Sequence, residues 1–122
     1  MEVLMPYLKI NYDDALPPFE EVELPENPTE WLRSCYDVIG CTTIQTAPTV
    51  FNGLFKLVLI VDDEAKLYDG WERRINKIAT QLYGSEDDVI VGDVLVARVE
   101  GYDLVPLAYC EIDFVKRGFG YT

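Results

Sequence analysis

Leu54-Phe55-Lys56-Leu57-Val58-Leu59-Ile60-Val61-Asp62-Asp63-Glu64, followed by Trp71-Glu72-Arg73-Arg74-Ile75-Asn76-Lys77-Ile78-Ala79-Thr80-Gln81-Leu82-Tyr83-Gly84 and Val89-Ile90-Val91-Gly92-Asp93-Val94, decides how this chain folds. The apolar run from Leu54 to Val61 is rich in β-formers and closes on acids, which predicts a central strand and a turn. Trp71, Ile75, Ile78, Ala79 and Leu82 recur at the spacing of one buried helical stripe, and Gly84 supplies the stop. Val89 to Val99 then predicts another strand, and Leu104 to Phe114 a further one joined through Gly101-Tyr102-Asp103.

Upstream, Val3 to Ile10 predicts a first strand that Pro6 places at an edge or bulge. Residues 11–26 hold Pro17-Pro18 and Pro25 among acids and predict a loop or extended edge segment. Asn27-Pro28-Thr29-Glu30 has the pattern of a capping box, so a helix should start there. Its core face carries Trp31, Cys35, Val38 and Ile39, and Gly40 ends it. Thr42 to Thr46 predicts a strand, Pro48 to Gly53 a connection, and residues 116–122 a tail. The expected fold is one α+β domain over residues 1–122: two helices on one face of a mixed, mostly antiparallel sheet of about five strands.

The chain has 122 residues, 49% of them hydrophobic, and a net charge of −12. That is enough apolar material for one core, and too much for a disordered acidic polymer. With no long apolar run and no basic, apolar leader at Met1-Glu2-Val3-Leu4, a soluble cytoplasmic protein is expected. Cys35, Cys41 and Cys110 are unpatterned and read as buried thiols.

Histidine is absent, which removes imidazole-based nucleophile schemes and most zinc hydrolase sites. No glycine-rich phosphate loop occurs. Asp62, Asp63 and Glu64, with Asp69, Asp87, Asp88 and Asp93, offer oxygen ligands but no calcium-loop spacing, so no metal and no cofactor is expected. Arg73, Arg74, Asn76, Lys77 and Thr80 gather on one polar helix face as a candidate site for a phosphorylated small molecule. They equally suit a solvated face, with Asn76 satisfying a neighbouring loop.

The charge argues against direct nucleic-acid binding, because phosphate contacts need a cationic surface. It favours basic proteins, for which Asp13, Asp14, Glu20, Glu21, Glu23 and Glu26 are the candidate contact residues. Charge of this kind also serves solubility alone.

A resemblance accompanies these readings. Cys35 to Gly40, Thr42 to Thr46, Val58 to Glu64, Asn76-Lys77-Ile78-Ala79-Thr80, Leu82-Tyr83-Gly84 and Val91-Gly92-Asp93 resemble, in order, the elements of a family of small phage and mobile-element proteins known as a domain of unknown function. That family has an Asn-Arg-x-Ala-Thr helix and a Val-Gly-Asp strand. The likeness runs from about Glu30 to Leu107 and departs at Lys77, where the family has Arg, and at Ala65, where it often has Gly. Lysine lacks the planar fork of arginine, which makes an anion site there less specific. The resemblance implies a phage-like origin and an α+β fold, and brings no activity.

Three functions follow as expectations. One is a non-enzymatic counter-defence protein, a host-immunity inhibitor presenting acids as a DNA mimic to a basic host protein such as a nuclease or nucleic-acid-binding defence protein. Another is an oligomeric sponge for a phosphorylated nucleotide signal at Arg73, Arg74, Asn76, Lys77 and Thr80. The third is a carboxylate-only enzyme with Asp62, Asp63 or Glu64 as base. Were a homo-oligomer to form, Phe119-Gly120-Tyr121 and the strand near Pro6 are the expected contacts.

Overall fold

Two strands too apolar to show either side to water organise the architecture. In the computed structural model, which describes residues 3–51 and 56–121, these are β4 (Leu57–Asp62) and β5 (Val94–Glu100). They lie at the middle of a six-stranded antiparallel sheet with β1 (Leu4–Ile10), β2 (Phe19–Pro25), β3 (Ile44–Pro48) and β6 (Asp103–Val105). The order is β2-β1-β5-β4-β3, with β6 also paired to β5. All ladders are antiparallel. Residues 54 and 55 of the expected central strand lie outside the described residues.

The helices cover both faces, not one. Leu8, Leu59 and Val96 stand side by side in register and point toward α2 (Lys77–Tyr83) and α3 (Tyr109–Gly118), meeting Ala79, Leu82, Ile112 and Val115. Ile60, Leu95 and Ala97 point the other way, to Cys35 and Ile39 of α1 (Pro28–Ile39). The reason is legible in β4 and β5: continuous apolar runs bury both faces, as such runs do wherever helices cover a sheet twice. Each fully buried aliphatic side chain contributes about 1.5–3 kcal/mol by leaving water.

The first helix follows its caps. Asn27 Oδ1 accepts from the amides of Thr29 and Glu30, Pro28 opens the helix, and Gly40 closes it at φ 79°. Trp31 Nε1 donates to the Tyr7 hydroxyl at 3.1 Å, tying α1 to β1.

Elsewhere the structure corrects the reading. The expected helix from Trp71 is broken: Trp71–Arg74 is a 3-10 turn, Ile75 is extended and bridges Val91, and the α-helix begins at Lys77. Asn76 causes the break, because its side chain accepts from Ala79 N and so acts as an N-cap in mid-pattern. The expected strand from Leu104 to Phe114 ends at Val105, and α3 follows. Glu111 Oε1 accepts from Ala108 N at 2.8 Å, half of a capping box, and the apolar spacing of Ile112, Val115 and Phe119 is helical.

Of the two readings of the acidic segment, residues 19–25 take the extended edge one, as β2, and residues 116–118 of the expected tail complete α3. Thr122 lies outside the described residues. Phe119 and Tyr121 pack against Phe19, tilted and edge-on, with ring centroids 6.0 and 5.4 Å away. Pro6 sits in an interior strand, not at an edge: its missing donor faces the side where the β1–β5 ladder has already ended, and its carbonyl accepts from Leu107 N. Of the three thiols, Cys35 is buried, Cys41 partly so, and Cys110 exposed, contrary to the expectation for that last residue.

Candidate functional site

Asn76 is 1% exposed, and its polar atoms are spent on backbone. Nδ2 donates to the carbonyls of Ile10 and Gly92, both at 3.0 Å, while Oδ1 caps α2. Thr80 Oγ1 donates to Asn76 O at 2.7 Å and accepts from Ile90 N at 2.9 Å. Asp93 Oδ1 accepts from Tyr12 N. The Asn-x-x-x-Thr and Val-Gly-Asp segments therefore form a clamp that joins the end of β1, the start of α2 and the approach to β5.

The other members of the expected ligand cluster diverge from it. Arg74 is half-buried, with its guanidinium 5.2 Å from the centre of the Tyr12 ring and its carbonyl accepting from Gly92 N. A side chain at Gly92, whose φ is 85°, would come within 3.3 Å of that guanidinium. Arg73 and Lys77 are exposed. Arg73, Arg74, Asn76, Lys77 and Thr80 are neighbours in sequence, yet none of them lines either of the two cavities below.

A cavity of about 200 Å³ lies under β3, between Thr46, Asp63, Tyr83 and Ile90, and is bordered by the Lys66–Asp88 ion pair. Lys66 holds the Asp88 carboxyl below its usual range by hydrogen bonding. Asp62 Oδ1 accepts from Glu64 N, and Glu64 Oε1 accepts from Thr43 Oγ1, so two of the three candidate bases tie down the turn after β4. Asp63 is exposed. Among the described residues no three acids or thiols are grouped to hold a metal ion.

A larger apolar groove, about 740 Å³, separates α2 from α3 and is lined by Phe51, Leu82, Phe114, Val115 and Phe119. Reading α3 as a strand hid this groove. The Glu111-Ile112-x-x-Val115 spacing was the signal for it.

The acids of the second candidate set share one border of the sheet. β2 is an edge strand; Glu20, Glu21 and Glu23 lie along it, Glu26 follows it, and Asp13 and Asp14 sit in the connection from β1. All six are exposed. Lys9 lies 3.8 Å from Glu20 and is shared with Asp93 at 3.6 Å. No helix among the described residues is long and apolar enough to cross a membrane. Comparison with family models, curated proteins and solved structures finds no match.

Proposed function

We propose that this is a non-enzymatic binding protein of counter-defence type. Its acidic sheet border occupies the basic surface through which a nuclease or other nucleic-acid-binding protein holds its substrate. The observation that carries the reading is the shared placement of Asp13, Asp14, Glu20, Glu21, Glu23 and Glu26 along one edge, in a chain of net charge −12. Side chains two apart on a strand stand about 6.8 Å apart, so Glu21 and Glu23 form a regular row of negative charge. Such a row steers and orients a basic partner. Kinship with small phage proteins, through the Asn76 to Asp93 motifs, belongs to the same proposal.

Sequestration of a phosphorylated ligand at Arg73, Arg74, Asn76, Lys77 and Thr80 is less favoured, since Asn76 and Thr80 direct their hydrogen bonds inward. The test offers purified basic nucleases and DNA-binding proteins to the immobilised protein, with duplex DNA as competitor. Retention should be displaced by DNA and should fall steeply between about 50 and 200 mM salt. Retention indifferent to both contradicts the proposal.

A further inference from the structure

The backbone of β2 gives the acidic border a second property. In an antiparallel ladder, residues alternate between those bonded to the neighbouring strand and those turned away from it. Glu26 N donates to Val3 O at 3.1 Å beyond one end of β2, and Asn11 N donates to Pro18 O at 2.9 Å beyond the other. Between those fixed points the pairs Met5↔Leu24, Tyr7↔Val22 and Lys9↔Glu20 follow in steps of two. Glu20, Val22 and Leu24 therefore spend their backbone groups on β1, whereas Phe19, Glu21, Glu23 and Pro25 turn theirs outward. No turn, cap or side-chain bond among the described residues uses the outward amides of Phe19, Glu21 and Glu23.

Resting on the function proposed above, we infer that β2 accepts an extended basic segment of the partner protein as an additional strand. The segment carries Lys or Arg at alternate positions, opposite Glu21 and Glu23. Strand addition draws affinity from main-chain bonds and specificity from alternate side chains. Here the two coincide, because Glu21 and Glu23 supply both free amides and carboxylates. A second copy of this chain is the wrong occupant: edge-to-edge pairing would set glutamates against glutamates, and Pro25 removes a donor. The same features leave the edge open to a strand of opposite charge.

The probe is a capped peptide of alternating lysine and valine, seven residues long like β2. A control peptide carries N-methyl groups on the alternate nitrogens that would face β2, keeping the charge and removing the donors. The parent should bind and slow hydrogen exchange at Glu21 and Glu23, and the N-methylated peptide should bind about tenfold more weakly or worse, as loss of a few main-chain bonds requires. Equal affinity overturns strand addition and leaves acidic recognition standing. If neither peptide binds while the DNA-competed retention described above persists, strand addition falls alone; if that retention is lost too, both fall. Glu21→Gln with Glu23→Gln should weaken the parent peptide without changing the fold, and unchanged binding removes those carboxylates from the contact. Concentration-dependent self-association of the native chain that slows hydrogen exchange at Glu21 and Glu23 without any peptide would make a second copy the occupant and overturn the basic one.

Discussion

The side-chain amide of Asn76 donates to the main-chain carbonyl of Ile10 at 3.0 Å, joining the start of α2 to the end of β1 across 66 residues of chain. With its second donation to Gly92 O and its cap on Ala79 N, one buried side chain binds three backbone groups from three segments. Asn76→Ala removes one donor from each of two carbonyls and the side-chain acceptor from one helix amide in a buried site. It should lower unfolding free energy by about 2–4 kcal/mol, read from urea denaturation. Asn76→Asp keeps the shape but turns a carboxylate toward two carbonyls, and should be no more stable than Asn76→Ala at neutral pH.

Gly84 and Gly40 separate two costs that usually arrive together. Both end helices with positive φ, 74° and 79°, but a Cβ on Gly84 would lie 2.2 Å from Val50 Cγ1 while one on Gly40 meets open space. Gly40→Ala should cost about 1–2 kcal/mol for left-handed backbone alone. Gly84→Ala should cost more. Adding Val50→Ala to Gly84→Ala should bring the loss back to that of Gly40→Ala, since Val50 is 55% exposed and contributes little by itself. Equal melting shifts for the two single variants would contradict the contact.

Glu111 is 5% exposed; besides Ala108 N it faces Arg98 Nε at 3.5 Å, an ion-pair distance without hydrogen-bond geometry. Glu111→Ala uncaps α3 and takes away one of the two carboxylates beside the Arg98 guanidinium, leaving Glu100 at 3.0 Å from Nη1. A loss of about 2–3 kcal/mol is expected. Glu111→Gln retains an acceptor for Ala108 and should lose less, by thermal melting compared side by side.

The thiols should divide by environment. Burial, with the neighbouring Cys41 thiol adding to it, pushes Cys35 up to about 12. Burial and then the Asp62 charge push Cys41 up to about 11. Near pH 8 an alkylating reagent should modify Cys110 first, and Cys35 and Cys41 only on denaturation, as counted by mass spectrometry. The linkage has a definite sign. The unfolded chain releases these protons near pH 9 while the folded chain keeps them, so stability is intact below that pH and declines toward pH 11–12. Cys35→Ala should flatten the decline.

These positions also mark what was legible in the sequence. Asn27, Gly40 and Gly84 announced helix ends, and the run ending at Val61 announced a central strand, because caps and apolar runs act locally. Asn76 was visible but ambiguous: the stripe from Trp71 to Leu82 has helical spacing, and only the tertiary acceptors Ile10 and Gly92 make Asn76 a cap that breaks it. Likewise β-formers around Tyr109 to Phe114 pointed to a strand until Glu111 capped α3. Cover on both faces was missed, although the apolar runs at residues 57–61 and 94–97 leave no side of the sheet for water. The acidic candidates could be named from sequence; that they share an edge with outward amides depends on the β1–β2 register.

The most direct measurement of the proposed function is the salt dependence of binding to a basic, DNA-competed partner protein. It compares the native chain with one carrying Asp13→Asn, Asp14→Asn, Glu20→Gln, Glu21→Gln, Glu23→Gln and Glu26→Gln. The account predicts weaker binding for the substituted protein and a shallower fall of affinity with salt, while its melting behaviour stays close to native. Identical affinity and identical salt dependence in the two proteins would contradict it.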